Sequence, residues 1–189
     1  MTSAIGFIYD SHNDAAAAVR DLEAAGLSPA DIGFVANNGA SGRGPAASSA
    51  GRGAEAGATM GAALGGGAGL LAGLGLLTIP GLGPVVAAGW LATTVVGAAA
   101  GAGAGATAGG ILGTLAQNGV TEVDAHLYAE GVRRGGTLVT VRCDEAKIGA
   151  VEDIMRRHRP VDPAQRRHAY REAGWTAFDE AAPPFDPRP

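Results

Sequence analysis

The chain has 189 residues, with 14 basic and 18 acidic side chains and a formal net charge of −4, which argues against bulk binding of nucleic acid. Its only cysteine, Cys143, excludes an internal disulfide and fits a reducing compartment. The N-terminal MTSAIGFIYD has neither the basic start nor the long apolar run of a secretory signal.

The first forty residues predict a β-α-β unit. Residues 4–10 alternate in polarity as a strand, and residues 32–37 do the same. Between them, Ser11 is a helix cap with Asp14 three residues on, and Gly26 ends the helix. The side chains expected to face the core are Ile5, Phe7, Tyr9, Val19, Leu22, Ile32, Phe34 and Ala36.

Residues 121–168 predict a second α/β unit. Thr121 begins a helix that extends to Gly131, and a strand follows over residues 137–143. Asp144 is expected to cap a helix that stops at Pro160, and a weak edge strand is predicted near Val161–His168, interrupted by Pro163. The expected core side chains are Val139, Val141, Cys143, Ile148, Val151, Ile154 and Met155.

Together these units predict an α+β fold, a ferredoxin-like split β-α-β domain formed by residues 1–40 and 120–168. A linker at 41–56 and an apolar insertion at 57–117 separate its halves, and residues 169–189 form an aromatic, proline-rich tail. From Ala56 to Thr121 the chain has no charged residue and no histidine.

The insertion carries two series of glycines spaced by four residues, which lie on one face of a helix. IPGLGP at 79–84 predicts a turn between them, and the pattern predicts an antiparallel glycine-zipper helical hairpin, 57–78 against 85–117. A flexible low-complexity linker is the alternative. With Gly81 as the centre, Gly65 would face Gly97 and Gly61 would face Gly101, and Gly109 and Gly113 extend beyond the first series, which favours homo-oligomerisation. The packing glycines are Gly57, Gly61, Gly65, Gly69 and Gly73 in the first series and Gly89, Gly97, Gly101, Gly105, Gly109 and Gly113 in the second.

Each glycine costs a helix about 0.8–1 kcal/mol relative to alanine, so such helices need close packing. A bilayer and the centre of a homo-oligomer both supply it. Residues 97–110 contain no side chain larger than threonine, which favours protein neighbours on several sides. Trp90, near the turn, is either a core residue or an interfacial anchor.

No catalytic residues, cofactor site or metal site are predicted, since the chain has no phosphate-binding GxxxxGK[ST] motif and its four histidines lack metal-ligand spacing. Six arginines between residues 156 and 171 are a candidate surface for anionic lipid, or alternatively a solvated helix end with salt bridges. They are Arg156, Arg157, Arg159, Arg166, Arg167 and Arg171.

The tail, AGWTAFDEAAPPFDPRP, contains Trp175, Phe178 and Phe185, three of nine aromatic residues in the chain. Aromatic side chains on an extended segment indicate docking into a groove of the same chain, of a neighbouring subunit or of another protein. A frayed terminus is the alternative.

AVRDLEAAGLSPADIGFVANN near the start and LYAEGVRRGGTLVTVRCDE near residue 130 resemble the bacterial general-stress, or heat-induced stress, protein family. The resemblance covers most of residues 4–160 and implies stress association without a reaction. We therefore expect a non-enzymatic protein that self-associates through the hairpin at the cytoplasmic side of a membrane. A soluble cytoplasmic homo-oligomer, with hairpins as its shared core and tails docked on neighbours, is the alternative. An enzyme or ligand binder is a distant third.

Overall fold

The computed structural model describes residues 2–37, 75–79, 81–94, 111–182 and 185, and the statements below refer to these residues. The strands are β1 (Thr2–Tyr9), β2 (Ile32–Asn37), β3 (Gly75–Ile79), β4 (Gly83–Ala88) and β5 (Thr137–Asp144). The α-helices are α1 (His12–Ala24), α2 (Ile111–Gln117), α3 (Glu122–Arg133), α4 (Glu145–Arg156) and α5 (Pro163–Glu172). A 3-10 turn, Pro29–Asp31, precedes β2, and residues 89–94 are helical.

The five strands form one antiparallel sheet in the order β1-β5-β2-β4-β3. Strands β1 and β2 lie on either side of β5, with Phe7 and Phe34 both opposite Val139. Strand β4 pairs with β2 on one side and with β3 on the other. The last strand in sequence, β5, therefore lies inside the sheet between β1 and β2, and the two halves of the chain form a single sheet.

Both faces of the sheet are buried. One face packs against α1 and α4, and its core contains most of the predicted inward residues, while Ile5, Phe7, Ile148 and Ile154 are partly buried against it. The predicted residues within the core are Tyr9, Ile32, Phe34, Ala36, Val139, Val141 and Cys143, with Val19, Leu22, Val151 and Met155 from the two helices. The other face packs against α2, α3 and the helical residues 89–94. The β-α-β unit and the α3-β5-α4 succession predicted from sequence are confirmed.

Helix starts follow the predicted caps in two of three cases. The Ser11 hydroxyl accepts from the Asp14 amide at 3.3 Å, and Thr121 accepts from the Asp124 amide at 3.2 Å. Asp144 occupies the N-cap position of α4 but makes no side-chain cap bond. Burial of hydrophobic faces thus holds α4 in place without the bond that its sequence suggests.

The edge strand predicted near Val161–His168 is wrong, because α5 occupies Pro163–Glu172. Asp162 caps this helix by accepting the Gln165 amide at 2.9 Å, and Pro163 stands in its first turn. Proline is favoured there, since the first helical amides have no intrahelical acceptor, whereas in a strand it removes a donor. One strand-like bond remains, from the Val161 amide to the Ile8 carbonyl at 2.8 Å.

The predicted helical hairpin is also wrong over residues 75–78 and 85–88, which lie in β3 (Gly75–Ile79) and β4 (Gly83–Ala88). The turn at 79–84 is where the sequence predicts it, closed by the Leu82 amide on the Ile79 carbonyl at 3.1 Å. Strand β4 gains backbone bonds on both sides and buries Val85 and Ala87, while glycine disfavours helix. A strand with β-branched residues and a paired strand on each side is therefore more stable here than a helix.

Small residues form a transverse row across the sheet on the α3 face. Gly6 is opposite Thr140, Thr140 is opposite Gly33, and Gly33 bridges to Gly89. Two aromatic rings fill the space above this row. Tyr128 lies over Gly6 and Trp90 lies against Gly33, and both rings are buried. Trp90 is thus a core residue, as one of its two sequence interpretations predicts.

Candidate functional site

The charge-free insertion is anchored in the sheet by the β3–β4 hairpin. Its strand pairs are symmetric about Gly81, from Ile79 opposite Gly83 to Gly75 opposite Ala87. The chain that enters β3 and the chain that leaves β4 therefore adjoin at one end of the hairpin. In sequence, the first glycine series precedes β3 and most of the second follows β4.

Most of the predicted packing glycines lie outside the described residues: Gly57, Gly61, Gly65, Gly69, Gly73, Gly97, Gly101, Gly105 and Gly109. Gly113 lies in α2 and is partly buried. Gly89 is not part of a helical groove, which corrects its assignment. Its φ of +71° lets the chain turn from β4 into the helical residues 89–94, a conformation that glycine adopts without strain.

The hairpin turn is covered by the C-terminal segment of the same chain. Phe178 is 5% exposed and packs in the core with Leu82, and its amide donates to His126 Nδ1 at 3.2 Å. A Cβ atom built on Gly81 would lie 2.8 Å from Phe178 Cζ, from Asp179 O and from Glu180 Cα. The predicted tail groove is therefore formed, around Phe178, by the chain itself.

The other two tail aromatics, Trp175 and Phe185, contact a tyrosine ring and two arginine side chains. Trp175 packs edge-on against Tyr170, with ring centroids 5.8 Å apart. Phe185 is 38% exposed and lies below the guanidinium groups of Arg134, at 5.1 Å, and Arg133, at 5.8 Å. Neither ring is buried as fully as Phe178, so Phe178 is the main anchor of the segment.

The sequence analysis did not predict the buried carboxylate of Glu130, which pairs with the two arginines that contact Phe185. The Glu130 side chain is 1% exposed and accepts from Arg134 Nε at 2.6 Å and from Arg133 Nε at 3.0 Å. The spacing of these residues, three and four apart on one helix, is the signal that could have found it. Glu130 holds both guanidinium groups beside Phe185, and Arg134 also stacks on Tyr170 at 4.3 Å.

Four of the six arginines proposed as an anionic-lipid surface are paired with carboxylates of the same chain. Arg156 pairs with Glu152, Arg159 with Asp14, Arg166 with Asp10 and Arg167 with Asp124, at 2.5–3.0 Å. Within the described part of the chain, Arg157 and Arg171 make no ion pair. This placement matches the salt-bridge alternative for most of the cluster.

The other ionisable groups do not form a catalytic arrangement within the described ranges. No group of three metal-ligating side chains occurs there. Cys143 is buried on the α1/α4 face, and burial raises the pKa of its thiol. Burial lowers the pKa of His12, which packs edge-on against Phe34. A buried, protonated thiol and a neutral imidazole in a hydrophobic setting are structural groups.

One surface groove, of about 540 Å³, follows the outer edge of β1. Its floor is Ala4–Ile8, and its walls are residues 119–121, residues 160–163 and side chains of α3 and α4. The predicted fourth strand would have covered this edge. Because that segment forms α5 instead, the groove is a feature that the sequence pattern did not indicate.

In the described ranges no helix combines the length and the hydropathy required to cross a bilayer. Comparison of the whole chain with protein-family models, with curated proteins and with solved structures finds no match.

Proposed function

We propose that this chain is a non-enzymatic assembly protein that self-associates through its two glycine-rich segments, with the α/β domain as their base. The observation that carries the proposal is the β3–β4 hairpin, whose pairing is symmetric about Gly81. The start of β3, which follows the first segment in sequence, and the end of β4, which precedes the second, lie side by side, with Gly75 opposite Ala87. Continued along the sequence, the same symmetry would set Gly65 opposite Gly97 and Gly61 opposite Gly101.

Glycines spaced by four make a smooth surface on which another backbone can approach closely. Helical structure resumes at residues 89–94 and again in α2, on either side of the second segment. This supports helical packing for the second segment beyond the strands. Gly109 extends past the first glycine series, which begins at Gly57, so a second copy of the chain is its proposed partner, whereas Gly113 lies in α2 within the domain.

A ferredoxin-like topology for the domain is part of the proposal. Strands β1 and β2, joined through α1, flank the antiparallel strand β5, which leads into α4. This order is that of a split β-α-β unit. The β3–β4 hairpin extends it at β2, and the fourth strand of such a unit is replaced by α5.

Stress association and attachment to the cytoplasmic side of a membrane complete the proposal. The first is implied by the resemblance to the general-stress proteins. The second rests on the charge-free segments, 57–74 and 95–110, which have no ionisable side chain to desolvate. It does not rest on the arginine cluster, since four of those side chains are already paired with acids.

The test compares two double variants of the full chain by light scattering without detergent. Gly65→Leu with Gly101→Leu places bulk in both glycine series and is expected to reduce the particle to a smaller species. Gly67→Leu with Gly103→Leu adds the same side chains two residues out of phase, on the other side of a helix. It is expected to retain the assembly.

Equal particle sizes for the wild type and both variants would contradict the proposal. Membrane attachment is tested separately by flotation of the full chain with liposomes. A large particle in detergent-free buffer that does not float would leave self-association intact and replace the membrane part with the soluble assembly.

A further inference from the structure

The outer edge of β1 is partly covered by other parts of the chain. In a strand, alternate residues direct their N–H and C=O groups to the same side. Three contacts identify the outward residues of β1. The Ala4 amide donates to Asn118 O, Tyr128 Oη donates to Gly6 O, and the Val161 amide donates to Ile8 O, each at 2.8 Å.

Between those contacts, backbone groups remain without a partner in the described structure. They are the N–H groups of Gly6 and Ile8 and the carbonyl of Ala4. Ala4 is 5% exposed and Ile8 is 3% exposed. Gly6, between them, is partly exposed on the floor of the groove, and open backbone donors and acceptors along a strand edge are a template for pairing with another chain.

The unpaired groups line the floor of the groove. The groove runs between Asn118, which bonds Ala4 at one end, and Val161, which bonds Ile8 at the other. Four residue steps of a strand span about 13–14 Å, so the slot admits about three extended residues. A second β1 strand does not fit, because the Asn118 and Val161 segments stand where its ends would lie.

We propose that this slot binds an extended segment of another polypeptide, which adds a short antiparallel strand to β1. Alternating donors and acceptors along an open strand edge are the groups that recognise a peptide backbone. A central residue opposite Gly6 would give its carbonyl to the Gly6 amide and its own amide to the Gly6 carbonyl. That carbonyl has a second lone pair besides the one that Tyr128 uses.

The charges around the slot specify the central side chain. The groove is lined by three carboxylates, Asp124, Glu152 and Asp162, and by one guanidinium, that of Arg156. A residue opposite Gly6 directs its side chain to the α3 face, on which Asp124 and Tyr128 lie. Arg167 pairs with Asp124 and Arg156 pairs with Glu152, so the excess negative charge of the lining is the single charge of Asp162. A basic central residue is therefore preferred.

The inference goes beyond the proposed self-association and does not depend on it. The test is fluorescence anisotropy of three labelled peptides with the full chain: acetyl-Val-Arg-Val-amide, its analogue N-methylated at arginine, and acetyl-Val-Glu-Val-amide. The first is expected to bind at least about tenfold more tightly than the other two, a difference of about 1.4 kcal/mol. Hydrogen exchange of the β1 amides is expected to slow only with the first peptide.

Asp124→Asn is the matching protein variant and is expected to weaken binding of the arginine peptide and to strengthen binding of the glutamate peptide, because it removes a negative charge beside the slot. Equal binding of the arginine peptide and its N-methylated analogue would refute strand pairing, as would unchanged exchange of β1. Absence of binding by all three at millimolar concentration overturns the proposal, while the light-scattering result for self-association stands on its own. Competition by a second copy of the chain, seen as slower β1 exchange at higher protein concentration, would instead assign the slot to self-assembly.

Discussion

Gly33 and Trp90 are in contact across the α3 face of the sheet, with no room between them for a methyl group. A Cβ atom built on Gly33 would lie 3.0 Å from Trp90 Nε1 and 2.9 Å from Leu91 Cβ, and it would overlap Thr140 Oγ1. Trp90 and Leu91 are both buried, and they lead directly into the second glycine-rich segment. The absence of a side chain at residue 33 therefore lets the insertion dock on the domain.

We expect Gly33→Ala to lower the free energy of unfolding by about 1–3 kcal/mol, since overpacking displaces buried side chains. Urea denaturation of the full chain measures it. Gly149→Ala is the matched control, because Gly149 lies in α4 and a Cβ atom added to it would have nothing within 4 Å. That change is expected to stabilise by about 0.5–1 kcal/mol, since alanine favours helix. Destabilisation of the same size in both variants would contradict the packing argument.

The second prediction concerns Glu130, whose carboxylate is buried and pairs with two guanidinium groups. Glu130→Gln removes the negative charge that Arg133 and Arg134 share. We expect a loss of about 3–5 kcal/mol in unfolding free energy, the range for breaking a buried pair. Glu152→Gln is the control, since its partner Arg156 is exposed, and it is expected to change stability by less than about 1 kcal/mol.

A loss confined to low salt would instead show that Glu130 acts as a surface charge, because exposed pairs are screened by ions. The glutamine side chain has nearly the volume of glutamate, so the comparison reports charge rather than packing.

The α/β part of the fold was predictable because each of its elements is determined by local pattern. Strand β5 alternates Val139, Val141 and Cys143 onto one face, and Thr121 caps α3 as its sequence indicates. One assignment, the helix over β4, failed for a long-range reason. Glycines spaced by four residues predict a helix. Strand β4 instead pairs with a strand on each side, and one of these strands, β2, lies far away in the chain.

The features around the groove and the tail depend even more on tertiary contact. Glu130 has the spacing of an exposed helical ion pair, and only the packing of α3 buries it. Phe178 was a clear candidate anchor by composition, but the hairpin turn that receives it could not be named without the fold. The β1 edge is open because Pro163 starts a helix, a consequence of a residue more than 150 positions away.

Two buried tyrosines give a prediction about alkaline pH. Burial raises the pKa of Tyr9 and of Tyr128, and the nearby carboxylates of Asp14 and Asp124 raise these pKa values further. In the unfolded chain these phenols ionise near pH 10, whereas in the folded chain they stay protonated. Above about pH 10 the native state binds more protons than the unfolded state, so stability falls as pH rises.

Tyr9→Phe removes one of the two groups and its hydrogen bond to Met155 O, which is 3.0 Å long. We expect it to cost about 1 kcal/mol at neutral pH and to flatten the decline in unfolding free energy above pH 10. The measurement is urea denaturation at a series of pH values. A decline as steep as that of the wild type would show that Tyr9 ionises in the native state.

The last prediction concerns the contact between the C-terminal segment and the hairpin turn. Gly81 and Gly174 both have positive φ, +75° and +84°, so alanine introduces similar backbone strain at each. Their surroundings differ. A Cβ atom on Gly81 would meet Phe178, Asp179 and Glu180 at 2.8 Å, whereas nothing lies within 4 Å of a Cβ atom on Gly174.

We therefore expect Gly81→Ala to displace residues 178–180 from the turn and Gly174→Ala to leave them in place. Chymotrypsin cleavage at Phe178 measures this, because Phe178 is buried in the folded chain and is cleaved only when the segment is released. Cleavage should be at least about tenfold faster in Gly81→Ala than in Gly174→Ala, which corresponds to about 1.4 kcal/mol of contact energy. Similar rates in the two variants would mean that the hairpin turn contributes little to holding the segment, and that the Phe178 amide bond to His126 and the arginine contacts of Phe185 hold it instead.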